Sequence, residues 1–201
     1  MAEIRAFIAI EIDPAIITRL TALQQQWRCA EAPVTWSRPE GLHLTLKFLG
    51  NVPEERLPSI TETLARIAHA HFPFVLRVEG VGGFPTLKRP RVLWAGIGEG
   101  SAPATMLARE IETALEALGF PRESRPFNPH LTLGRVKAPD GLARLLALMT
   151  PLIDAPFGEM QAQAVSLMRS ELSPHGAKYT ELYRASLGEN AAENAAERED
   201  A

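Results

Sequence analysis

Residues 38–46 read RPEGLHLTL and residues 125–133 read RPFNPHLTL, with six of the nine positions identical at a constant offset of 87. Only five histidines occur in the 201 residues, and two of them head the same tetrapeptide. A recurring tetrapeptide alone means little. A shared Arg-Pro upstream at the same offset makes the pair the mark of an internally duplicated fold.

His-Leu-Thr-Leu alternates as a half-buried strand does, and its residues fit a pleated surface. Successive side chains point to opposite faces, so His43 and Thr45 project together while Leu44 and Leu46 enter a core. His130 and Thr132 repeat the arrangement. If a pseudo-two-fold axis relates the copies, two imidazole–hydroxyl pairs face each other across a cleft. An imidazole titrates near pH 6.5, so one ring can give a proton while the other takes one. The threonine hydroxyls can donate to phosphate oxygens or another oxyanion. Such a set suits in-line displacement at phosphorus without a metal, since the motifs supply no carboxylates or cysteines to complete a metal site. No metal and no cofactor are expected.

Outward from the two motifs, alternating apolar residues at 4–10 predict a first strand. Pro14 opens a helix to about Arg28, and VTW at 34–36 is a short strand. The first motif strand covers 42–50, and a helix fills 54–70. Strands at 74–82 and 91–97 flank GGFPTLKRP, and a helix at about 103–118 ends at Gly119. The second motif strand covers 130–137. A short helix near 140–149 and strands near 160–169 and 179–187 complete the order. Interleaved helices and paired strands give an α+β fold, bilobal and duplicated, with mainly antiparallel sheets flanked by helices around a central cleft.

The composition, 46% hydrophobic and 22% charged, is that of a soluble globular chain. Residues 1–188 are expected to form the single bilobal domain. The last thirteen, ENAAENAAEREDA, hold five acids and one base. They are read as an acidic tail, disordered or a fraying helix. Without them the net charge of −3 becomes +1, which gives no footprint for tight binding to long nucleic acid. Cys29, the only cysteine, is expected to be buried or half-buried and excludes a disulfide scaffold. The N-terminal apolar run is too short for a signal peptide or membrane span, so a cytoplasmic monomer with no membrane contact is expected.

HLTLKFLG and RPFNPHLTLGR resemble the two signature motifs of the RNA 2′,3′-cyclic phosphodiesterases, also called 2′-5′ RNA ligases, of the two-histidine phosphoesterase superfamily. RAFIAIEI, PRVLWAGI and SELSPHGAKYTELY extend the resemblance over roughly residues 4–187. It implies hydrolysis of a terminal 2′,3′-cyclic phosphate to a 2′-phosphate, with RNA 3′ ends or small cyclic nucleotides as partners. It also implies His43 as proton donor, His130 as proton acceptor, and Arg135 as a holder of phosphate. Strict alternation from His130 points Arg135 away from the cleft, so a bulge at Gly134 must re-aim it or it acts indirectly. Lys47, two residues past Thr45, has the parity to reach phosphate instead. Trp36 leads the aromatic candidates for stacking a base, ahead of Phe7, Phe48 and Phe127.

Neither a phosphate-loop motif nor a Lys-x-Asp-Gly adenylation motif is present, which excludes ATP-driven joining. Ligation is then a reversal, with a 5′-hydroxyl replacing water. The competing reading is a non-catalytic nucleotide- or phosphate-binding module of the same fold; the intact histidines and threonines weigh against it.

Overall fold

The computed structural model describes residues 3–173 and 176–188. The acidic tail and His175 lie outside the described residues. The elements are β1 (Glu3–Glu11), α1 (Pro14–Arg28), β2 (Val34–Trp36), β3 (His43–Pro53), α2 (Leu57–His69), β4 (Phe74–Phe84), β5 (Val92–Ile97), α3 (Ser101–Ala117), β6 (His130–Val136), α4 (Ala143–Met149), β7 (Pro156–Ala162), β8 (Ala164–Ser173) and β9 (Gly176–Ser186). Three single-turn helices join them.

All strands belong to one antiparallel sheet in the order β7-β4-β5-β6-β3-β1-β8-β9, with β2 added to β6. The two motif strands, β6 and β3, are its centre. They are bridged at a single residue pair, Leu44 and Leu131, one position past each histidine. The sheet therefore divides there into two four-stranded halves, and in each the motif strand lies beside the strand that opens its copy, β1 next to β3 and β5 next to β6. This is the duplication expected from the repeat, and the fold is α+β.

The helices cover one face. Leu44, Leu46, Leu131 and Leu133 point into that side and are buried, each contributing about 1.5–3 kcal/mol through area removed from water. The halves exchange helices. α1, which follows β1, packs on β7 of the other half; α3, which follows β5, packs on β3. The opposite face of the sheet carries the histidines and is open.

Two sequence expectations need correction. The strand expected at 160–169 is two strands, β7 and β8, split at Gln163, so the chain ends with three strands rather than two. The apolar alternation runs through Gln163 and hides the break. β7 pairs with β4, whereas β8 pairs with β1 and β9. Six strand spacings of about 4.8 Å separate β7 from β8 along the sheet, yet one residue connects them, so the sheet must curl. Cys29 is exposed at the end of α1, not buried. Among the described residues, no helix is long and apolar enough to cross a membrane.

Candidate active site

The register of β3 and β6 fixes what faces the open side. Leu44 pairs with Leu131, and one further step in each direction sets His43 across from Thr132 and Thr45 across from His130. Each imidazole thus faces the hydroxyl of the other copy. The two histidines sit on a diagonal, for which roughly 7–8 Å is the usual spacing. The arrangement could offer an oxyanion between them a hydroxyl from each side and an imidazole at each end.

Both strands are then bulged at the same place. In β3, Thr45 pairs with Ala9 but Lys47 pairs with Ile8, leaving Leu46 extra. In β6, Thr132 pairs with Trp94 but Gly134 pairs with Leu93, leaving Leu133 extra. A bulge reverses side-chain parity beyond it. The residues returned to the cleft face are accordingly Phe48 and Arg135, while Lys47 and Gly134 turn to the helix side.

This settles the orientation of Arg135. It shares a face with Val92 and Thr35, its neighbours on β5 and β2, and its charge reaches His130. The bulge re-aims it toward the cleft.

It also overturns the expectation for Lys47. That side chain is 2% exposed, on the side of the sheet away from the histidines. Its ammonium pairs with Glu112 of α3 at 2.8 Å and donates to the Pro121 carbonyl at 2.9 Å. Lys47 ties the segment before the second motif to the first half and touches no cleft group. The other half is tied in a similar way: the buried Gln24 amide donates to the carbonyls of Leu133 and Ser37, at 2.7 and 3.0 Å. Gly134 replaces lysine in the second copy because β2 crosses there. A Cβ on it would lie 2.7 Å from Val34 Cγ1.

Trp36 is likewise corrected. It pairs with Gly134 on the helix side and packs at 6.1 Å from the ring of Trp27. No base can reach it from the cleft. Phe127 packs against the main core as well. Phe48, by contrast, is 55% exposed on the cleft face, 6.1 Å from Phe7.

Phe7 is buried and stacks on His43, with ring centroids 4.6 Å apart. Tyr179 meets the same imidazole edge-on at 5.2 Å. Burial in this aromatic nest pulls the His43 pKa down to about 4, against the upward pull of a hydrogen bond with the Glu40 backbone. His130 meets Phe84 edge-on at 4.9 Å, and its Nδ1 donates to the Asn128 carbonyl at 2.6 Å. Its pKa is also lowered, chiefly by burial, with Arg135 adding to the effect and the Asn128 bond opposing it. With Nδ1–H engaged, the neutral ring presents Nε2 as an acceptor. Tyr179, Phe84 and Asn128 went unrecognised in the sequence. Asn128 stands two residues before its histidine, but nothing in the sequence ties Tyr179 to a motif 136 positions away.

Among the described residues, no group of three or more His, Cys, Asp or Glu side chains is gathered where a metal could bind. His71, outside the motifs, is buried and pairs with Glu110 at 3.0 Å.

The model of the LigT-like phosphoesterase family matches residues 10–94 and again 97–179, one match around each histidine motif. The chain is 36% identical over 180 residues to an RNA 2′,3′-cyclic phosphodiesterase of Methanothermobacter thermautotrophicus, covering 90% of this chain and 97% of that one. It is 40% identical over 163 residues to the enzyme of that name from Thermus thermophilus, covering 78% of each. Among solved structures, TT0787 of Thermus thermophilus superposes with a TM-score of 0.76 at 34% identity, over 92% of this chain and 100% of that one. LigT of E. coli complexed with 3′-AMP superposes with a TM-score of 0.77 at 25% identity, over 92% of this chain and 99% of that one. The bulged pair of histidine strands thus sits in a chain that belongs to the LigT-like phosphoesterase family.

Proposed function

We propose that the protein hydrolyses the 2′,3′-cyclic phosphate at RNA 3′ ends, or on small nucleotides, to a 2′-phosphomonoester without a metal. One observation carries this reading: the pairing of Leu44 with Leu131 sets the two His-Leu-Thr motifs side by side on the open face of the two central strands. The curated relatives bear the name of that activity.

In the proposed reaction Nε2 of His130 takes a proton from water as the oxygen attacks phosphorus. The P–O3′ bond breaks, and His43 gives its proton to the departing 3′ oxygen. The 2′ ester stays intact. Thr45, Thr132 and Arg135 hold the non-bridging oxygens, whose charge grows in the transition state. The acceptor role suits His130, whose Nδ1 proton is already committed to Asn128. The donor role requires His43 to be protonated, and burial opposes that in the empty cleft. The substrate's own anion supplies the compensating attraction. A 5′-hydroxyl attacking phosphorus in place of water, with the same loss of the 3′ oxygen, joins ends 2′-5′.

The test is incubation with RNA ending in 2′,3′-cyclic phosphate, after exhaustive chelation, with the product resolved as 2′- or 3′-phosphate. A 2′-phosphate formed at undiminished rate is expected. A 3′-phosphate, or activity restored only by added metal, overturns the mechanism. Tight binding of the cyclic nucleotide with no turnover would favour the non-catalytic module.

A further inference from the structure

Beside His130 lies a cavity of about 430 Å³ on the cleft face of β4 and β5, a size typical of small-molecule sites. Its floor comes from the register. Gly96 is the partner of both Glu79 on β4 and His130 on β6, so the three form one row with no side chain at its middle. Two strand spacings, roughly 10 Å, separate the backbones of Glu79 and His130. The aromatic wall is Trp94, the next residue of β5 on the same face, with Phe84 5.4 Å from it. The Trp94 ring lies flat over Gly82, where a Cβ would meet it at 2.2 Å. Asp154 also lines the cavity.

The carboxylate of Glu79 is the unexpected feature. It lies over Gly98, in space that any larger residue there would take. A negative charge in the same row as His130, two strands away, opposes a phosphodiester and lowers affinity unless it recognises something. In the other half the carboxylate near the histidine is Glu11, the direct neighbour of His43 on β1, and Arg184 pairs with it at 2.7 Å. Among the described residues, Glu79 has no ion pair or hydrogen bond; Arg77, two residues before it, feels its charge but pairs directly with Glu99 and Glu159.

We infer that this cavity binds a nucleobase bearing an exocyclic amino group, stacked against Trp94 and donating to Glu79, with Asp154 as a second acceptor. The inference rests on the cleft between the histidines being the phosphate site. A carboxylate is an acceptor only, so adenine, cytosine or guanine satisfies it through an N–H. Uracil and hypoxanthine place a carbonyl at the amino position of cytosine and adenine, so lone pair meets lone pair there, and only the ring N–H one atom along the edge is left to donate. Aromatic stacking serves every base equally and contributes no such preference.

The experiment compares matched pairs of 2′,3′-cyclic phosphates, adenosine against inosine and cytidine against uridine, in wild type and Glu79→Gln. A charge-assisted hydrogen bond gives a ratio in kcat/KM of about 10-fold or more in favour of the amino base. In Glu79→Gln the ratio collapses toward one, because a glutamine amide both donates and accepts. A wild-type ratio near one in an active enzyme overturns the subsite and leaves the hydrolysis standing. If nothing turns over, the hydrolytic reading falls. The subsite is then decided by the dissociation constants of adenosine and inosine 2′-monophosphates, whose equality overturns it.

Discussion

In the proposed reaction the His43 imidazole must carry a proton, yet burial against Phe7 and Tyr179 pulls its pKa to about 4. At pH 7 only about one ring in a thousand is then protonated in the empty enzyme. A phosphodiester anion about 4 Å away is worth about 4 kcal/mol at an effective dielectric constant near 20. That converts to about 3 units of pKa, enough to bring His43 to about 7 in the complex. His130 is also below its ordinary value, through burial and Arg135. The two pH profiles must therefore differ. kcat/KM reports the free enzyme: its maximum falls below pH 6.5, and it drops tenfold per unit at higher pH. kcat reports the complex, and its alkaline limb lies about 2–3 units higher. The assay is steady-state hydrolysis of a nucleoside 2′,3′-cyclic phosphate from pH 4 to 9, alongside NMR titration of the imidazoles in free protein. A kcat/KM that holds level or rises from pH 6.5 to 8 would refute the reasoning, as would a His43 ring titrating at 6.5 or above without ligand.

Replacing His43 or His130 by alanine costs on the order of 10²–10⁴ in rate; near-normal turnover by either variant excludes the acid–base pair. Arg135→Gln removes a cation that holds His130 down, so His130 titrates higher and KM for the cyclic phosphate rises; an unmoved His130 resonance would show that the charge does not reach it. Lys47→Met leaves the partly exposed Glu112 without its partner beneath the sheet and costs about 1–3 kcal/mol in denaturant unfolding, with KM little changed. A phosphate-binding lysine would give the reverse, a raised KM at unchanged stability. The folded state also disfavours protonation of His43, so stability is full above pH 6.5 and is lost as pH falls toward 4. That loss amounts to about 3 kcal/mol, and a His43→Asn variant should lack it when unfolding is measured across the interval.

Much of the site was legible because the strand period is short and strict. His43, Thr45, His130 and Thr132 lie on one face by parity alone, and the offset of 87 announced the two halves. What lay beyond Thr45 and Thr132 was not legible. Parity read straight on through an unseen bulge sends Lys47 into the cleft and Arg135 out of it, and both assignments invert. Trp36 failed for a related reason. Proximity to the first motif in sequence says nothing about which face of β6 its strand joins.

The sequence by itself determined that there are two half-sites, which strands carry them, and that each pairs an imidazole with a hydroxyl above buried leucines. Those are local properties, written in a two-residue period and a repeat. Only the tertiary structure decided what distinguishes the copies. The bulges turn Phe48 and Arg135 toward the cleft and put Lys47 and Gly134 behind it, where one clamps a loop and the other lets β2 cross. Distant strands then supply Phe7 and Tyr179 to one ring and Phe84 to the other. An extra residue in one strand is defined only against its partner, and an imidazole's pKa depends on everything packed around it; neither exists until the sheet is assembled.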